Sequence, residues 1–149
     1  MNYRKVTRQL SLTATPQEVF KILHTPSAIH HWWGASRAIV LGEPGGLWCA
    51  VWGEDEDAPD YLAAATIKVF DPPRRLLLVD FKYFSRSGPL PFRPEMTTEF
   101  TIAESPSGSV LTVIQDRFPA DPIADEFYAG CVTGWKNTFE SIKKFIDGG

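Results

Sequence analysis

The chain has 149 residues, 44% of them hydrophobic and 13% aromatic, enough apolar mass to bury a core and to exclude a disordered segment. Its net charge of −3 leaves no basic footprint for nucleic acid or an anionic membrane surface. No apolar run approaches the ~20 residues of a membrane span, and the N-terminus leads into an alternating segment rather than a signal peptide, so the expectation is one cytoplasmic domain over residues 1–149.

Residues 4–13 alternate. Val6, Leu10 and Leu12 share one parity and Thr7, Gln9, Ser11 and Thr13 the other, as in a strand with one buried face. Arg8 falls on the apolar parity, which places it near an end of the sheet or against a partner. Thr15, Pro16 and Glu18 then form a Thr-x-x-Glu capping box with proline at the first helical position. Val19, Phe20 and Leu23 give that helix its apolar face. Pro26 ends it and opens a second short helix carrying Ile29, Trp32 and Trp33, which stops at Gly34. Two adjacent indoles are too large to leave in water, so both must pack against something.

From 36 to 117 the signals are almost all strand, in runs at 39–41, 47–52, 61–70, 76–81, 96–102 and 110–117. The turns between most of them are short, which favours an antiparallel meander. The 82–93 connection is longer. It holds Tyr83, Phe84 and Phe92 among Gly88, Pro89 and Pro91, and is expected to cover a cavity mouth or a subunit contact. Residues 123–146 read as one long helix, with Phe127, Cys131, Gly134, Thr138, Ile142 and Phe145 at helical spacing and Trp135 and Phe139 beside that stripe. The resulting class is α+β: a curved seven-stranded antiparallel sheet around a long C-terminal helix, with two short helices between strands 1 and 2. Such a layout leaves an apolar cavity between sheet and helix.

Several segments resemble a known superfamily in order along nearly the whole chain. They are Ala14-Thr15-Pro16-Gln17-Glu18-Val19-Phe20, Thr25-Pro26 with Trp32-Trp33, Gly45-Gly46, Asp71-Pro72-Pro73-Arg74-Arg75-Leu76, and Gly134-Trp135. The chain is similar to the ligand-binding superfamily of the birch-pollen allergen, the steroidogenic acute regulatory lipid-transfer domains and the polyketide cyclases. Within it, the chain most resembles the branch homologous to the heat-shock-chaperone ATPase activator. The resemblance implies a helix-grip fold with a cavity between the long helix and the sheet. It also implies a chaperone partner as one reading, although carriers, enzymes and co-chaperones share this fold. One departure is Asp80, where the superfamily usually places an aromatic.

Strand parity and the helical stripe nominate the binding residues: Trp33, Trp48, Trp52, Leu78, Asp80, Thr98, Phe100, Val113, Gln115, Phe127, Cys131 and Thr138. Any one apolar member is better explained as core filling; it is the group together that points to a cavity. Asp80 is the one catalytic candidate: burial would raise its pKa and suit it to general acid or base work in a cyclase or dehydratase. The alternatives for it are an ion pair with Lys82, Arg93 or Arg117, or exposure near a strand end. His24, His30 and His31 lack the spacing and companions of a zinc set, and Cys49 and Cys131 sit in apolar contexts that suit inert thiols. No phosphate-binding or dinucleotide motif occurs, so no cofactor is expected. The leading reading is a module that binds or sequesters a small apolar or aromatic molecule. The aromatic surface would also suit a homodimer.

Overall fold

The computed structural model describes residues 2–148. In chain order the elements are β1 (Tyr3–Leu12), α1 (Pro16–His24), α2 (Pro26–Trp33), β2 (Arg37–Val40), β3 (Leu47–Trp52), β4 (Tyr61–Asp71), β5 (Arg75–Ser85), β6 (Thr97–Ser105), β7 (Gly108–Pro119) and α3 (Asp125–Asp147). A short 3-10 turn, Pro122–Ala124, leads into α3. All seven strands form one antiparallel sheet in the order β1-β7-β6-β5-β4-β3-β2. This is the curved antiparallel sheet around a long helix that the pattern of elements predicts, and the helix-grip architecture that the resemblance implies.

Local chemistry sets the helix ends. The Thr15 hydroxyl accepts the Glu18 N–H, and the Glu18 carboxylate reaches back to the Thr15 N–H, so the capping box is complete. The carbonyls left free at the end of α1 find unusual donors. Trp32 Nε1 donates to Ile22 O at 2.9 Å, and Trp48 Nε1 donates to Leu23 O at 3.2 Å. Each indole thus buries its apolar body in the core while its one donor satisfies an orphaned helix carbonyl. Gly34 ends α2 at φ 73, a left-handed conformation that suits glycine.

The long helix is fastened at its far end. The Asp147 carboxylate accepts from the Thr13 backbone and hydroxyl and pairs with Lys143, tying α3 to the end of β1. Nearby, His31 of α2 stacks on Phe145 with centroids 5.7 Å apart. Arg8 is half-buried on β1, an edge strand of the sheet, opposite Val113.

Two irregularities bend the sheet where β4 meets β5. Ala64 pairs with Lys82 and Thr66 with Val79, so β5 carries an extra residue beside Ala65; Ile67 pairs with Leu78 and Val69 with Leu77, so β4 carries one too. Bulges of this kind sharpen the local twist and curvature. Pairing of β5 with β6 runs only from Arg75–Thr101 to Leu78–Thr98. Beyond Leu78 the two strands part, and the 86–96 connection bridges the gap. Residues 82–85, expected in a loop, therefore belong to β5: they keep pairing with β4 after β6 has left.

Candidate functional site

The inner face of the sheet and the middle of α3 fail to meet. Between them is a cavity of about 190 Å³. Its wall is built from Trp33 of α2, Trp48 and Trp52 of β3, Tyr61 and Ala63 of β4, Leu78, Phe81 and Tyr83 of β5, Thr98 and Phe100 of β6, and Gln115 of β7. From α3 come Phe127, Gly130, Cys131, Gly134, Trp135 and Thr138. Large rings on the sheet side face a helix that carries two glycines there. On the surface beside it, Leu90, Pro91, Ile123 and Glu126 border a depression that shares Phe127, Gly130 and Cys131 with the cavity.

The rings support one another. Trp33 is the hub: its centroid lies 5.4 Å from those of Trp48 and Trp52 and 5.7 Å from that of Trp135. Trp52 meets Tyr61 edge-on at 5.4 Å, Phe81 stacks on Tyr83 at 5.4 Å, and Tyr83 meets Phe127 at 6.1 Å. Offset and edge-on pairs at these spacings are the favourable ones and hold each ring in place. Trp52 Nε1 also donates to Trp33 O, fixing the end of α2 over the cavity.

The polar groups in the wall are few and uncharged. Trp135 Nε1 donates to Gln115 Oε1 at 2.6 Å in a buried bond that crosses from helix to sheet. Burial pushes the Tyr61 hydroxyl and the Cys131 thiol up to about 12 each. Burial raises the Tyr83 hydroxyl further still, with Tyr61 and Cys131 beside it adding to the effect and the Gln115 side chain opposing it. All three are neutral at pH 7. No lysine, arginine, histidine or carboxylate contributes to the wall.

Most of the residues nominated from the sequence meet here; two do not. Asp80 is exposed and lies outside the cavity, in a groove with Arg93, Glu95 and Arg117. The extra residue in β5 is the reason. Asp80 adopts φ 53 at the bulge, which resets the alternation, so Phe81 and Tyr83 point inward instead of Asp80 and Lys82. Asp80 is thus misplaced for acid–base work on a molecule in the cavity. Val113 is fully buried in the core and is not part of the wall, whereas Gln115, two residues on along the same face of β7, is.

Sequence parity missed Tyr61, Phe81 and Tyr83, and left Ala63, Gly130 and Trp135 out of the site. For Phe81 and Tyr83 the bulge hid the signal. Of the aromatics expected to cover the mouth, Tyr83 is part of the wall, Phe92 meets Phe127 at 5.7 Å, and Phe84 is exposed on the opposite face of β5. Among the described residues, no three His, Cys, Asp or Glu side chains converge as metal ligands, and no helix is long and apolar enough to cross a membrane.

The architecture recurs in solved structures. Protein MLL2253 from Mesorhizobium loti superposes with a TM-score of 0.77 at 19% identity, covering 97% of each chain. Ms6760 from Mycobacterium smegmatis gives a TM-score of 0.75 at 16% identity over 98% of this chain and 96% of that one. The Aha1 dimer from Colwellia psychrerythraea gives 0.72 at 12% identity over 96% of each. At these identities the likeness is one of fold. No curated protein matches the sequence. The family model for Activator of Hsp90 ATPase homolog 1-like protein matches residues 13–147, and the chain belongs to that family.

Proposed function

We propose that this protein binds a small, uncharged aromatic or apolar molecule in the cavity between α3 and the sheet. The observation that carries the reading is an aromatic-walled space of about 190 Å³ with no charged group in its lining. An apolar cavity of about 150 Å³ is enough to hold benzene, so this one suits a single ring with a short substituent. Burying roughly 200 Å² of ligand surface is worth about 5 kcal/mol before ordering costs, which corresponds to a Kd of about 0.2 mM at best. Trp33, Trp48, Trp52, Leu78, Thr98, Phe100, Phe127, Cys131 and Thr138 are assigned the contacts.

Calorimetric titration of the full chain with toluene and ethylbenzene tests this. Saturable one-to-one binding is expected, and Ala63→Leu, which extends a side chain from the wall into the space, should abolish it. Failure of every single-ring probe to bind, or binding indifferent to Ala63→Leu, refutes the reading.

Self-association is a second reading, favoured by a separate surface. Ile39 and Leu41 are more than half exposed, beside Leu47, on and next to the edge strand β2. Unpaired edges with exposed apolar side chains invite a second chain, and the Colwellia relative is a dimer. Sedimentation velocity should detect a dimer that Ile39→Lys dissolves; a monomer at all concentrations rejects it.

A further inference from the structure

One buried side chain of the wall is only half satisfied. Gln115 is 6% exposed on β7, where strand pairing sets it between Val6 of β1 and Thr98 of β6. An indole N–H can only donate, so the Trp135 bond engages the Gln115 oxygen and leaves the amide NH2 for another partner. Among the described residues that NH2 bonds no protein group, and neither does the hydroxyl of Thr98, which is 4% exposed. Ser105 Oγ is the one sealed side-chain polar atom without a partner among the described residues. The Gln115 NH2 and the Thr98 hydroxyl are therefore not sealed in; they open on the cavity that both residues line. Side chains directly opposite on one face of an antiparallel pair have Cβ atoms about 4.5–5.5 Å apart, so both groups are within reach of one ligand atom.

We infer that Gln115 and Thr98 form a two-donor subsite for the carbonyl oxygen of a neutral, single-ring ligand. The inference rests on the cavity being the binding site, as proposed above. A carbonyl oxygen offers two lone pairs and no proton, which matches an amide N–H from one strand and a hydroxyl from the next. Because Trp135 occupies the Gln115 oxygen, the amide meets a ligand as a donor, and the bond it already accepts polarises the N–H it gives. A carboxylate would find the same donors but would be buried without a counter-charge, since no lysine, arginine or histidine lines the space. A hydrocarbon of the same shape would fit and leave both donors unpaired.

The test titrates the full chain, Thr98→Val and Gln115→Met with acetophenone and with ethylbenzene, which match in shape but differ in the acceptor. Gln115→Met leaves the Trp135 N–H unpaired, whereas Thr98→Val keeps the side-chain shape and breaks no protein bond, so it decides the matter if the first variant fails to fold. Each substitution should lower the ratio of acetophenone to ethylbenzene affinity about fivefold, the scale of one hydrogen bond. Infrared difference spectra supply a readout that a purely structural role would not move. The carbonyl stretch of bound acetophenone should lie below its value in a hydrocarbon solvent and rise in both variants. If the ratio and the stretch stay unchanged, or both ligands weaken alike, the subsite is refuted while the cavity reading survives. A response in only one variant overturns the two-donor assignment. If neither ligand binds the unaltered protein, both readings fall. Benzoate binding as tightly as acetophenone would also overturn the inference, by showing that the site accepts an anion.

Discussion

Gly130 and Gly134 stand one turn apart in the interior of α3, both on the cavity wall. A Cβ built at either position meets no atom within 4 Å. Glycine inside a helix costs about 1 kcal/mol relative to alanine, because it surrenders more backbone entropy on folding. The pair therefore withholds about 2 kcal/mol from α3, and nothing steric demands it. Leaving room beside Cys131 at the edge of the cavity is the return. Gly130→Ala with Gly134→Ala should raise stability by about 2 kcal/mol, or Tm by about 4–8 °C at this chain length. The same change should weaken ethylbenzene binding, because two methyl groups enter the wall. Scanning calorimetry measures the first effect and isothermal titration the second. A Tm that stays level or falls would refute the reasoning, since it would mean that α3 already presses against something at these positions.

Three further perturbations have defined outcomes. Burial raises Cys131 from an ordinary 9.0 to about 12 and Tyr61 from 10.0 to about 12. Both are neutral in folded and unfolded chains below about pH 8, so stability is full there; between about pH 8 and 12 the unfolded chain ionises first and stability falls. Urea midpoints from pH 8 to 11 should show this decline, and Cys131→Ala should flatten it. Asp80→Val forces a β-branched residue to φ 53 and should cost about 1–2 kcal/mol by urea titration, whereas Asp80→Asn should leave both stability and probe binding unchanged. Thr15→Ala removes the hydroxyl that accepts the Glu18 N–H and should cost about 1 kcal/mol, read as a lower urea midpoint.

The sequence by itself determined what depends on neighbours a few positions away. The Thr15 capping box, the stop at Gly34, the alternation of Val6, Leu10 and Leu12, and the apolar stripe of α3 are set by contacts within one turn or one pleat. These elements, in this order with short turns, leave few arrangements other than an antiparallel meander gripping a helix. The interior of the cavity was legible wherever alternation ran undisturbed, as at Trp48, Trp52, Thr98, Phe100 and Gln115.

Tertiary structure alone decided the rest. The bulge that turns Asp80 out and Phe81 and Tyr83 in is a mismatch of register between β5 and β4, which no periodicity within β5 can report. The tryptophan pair was legible as buried, but its division of labour was not. Trp32 satisfies the Ile22 carbonyl in the core while Trp33 gathers the rings of the cavity, because their indoles meet partners from other elements. The orientation of the Gln115 amide likewise comes from a single bond with Trp135, twenty positions away. A void is the least local property of all. It exists because rigid rings on a bent sheet cannot fill the space that two helix glycines leave open, and that follows only when all the surfaces are brought together.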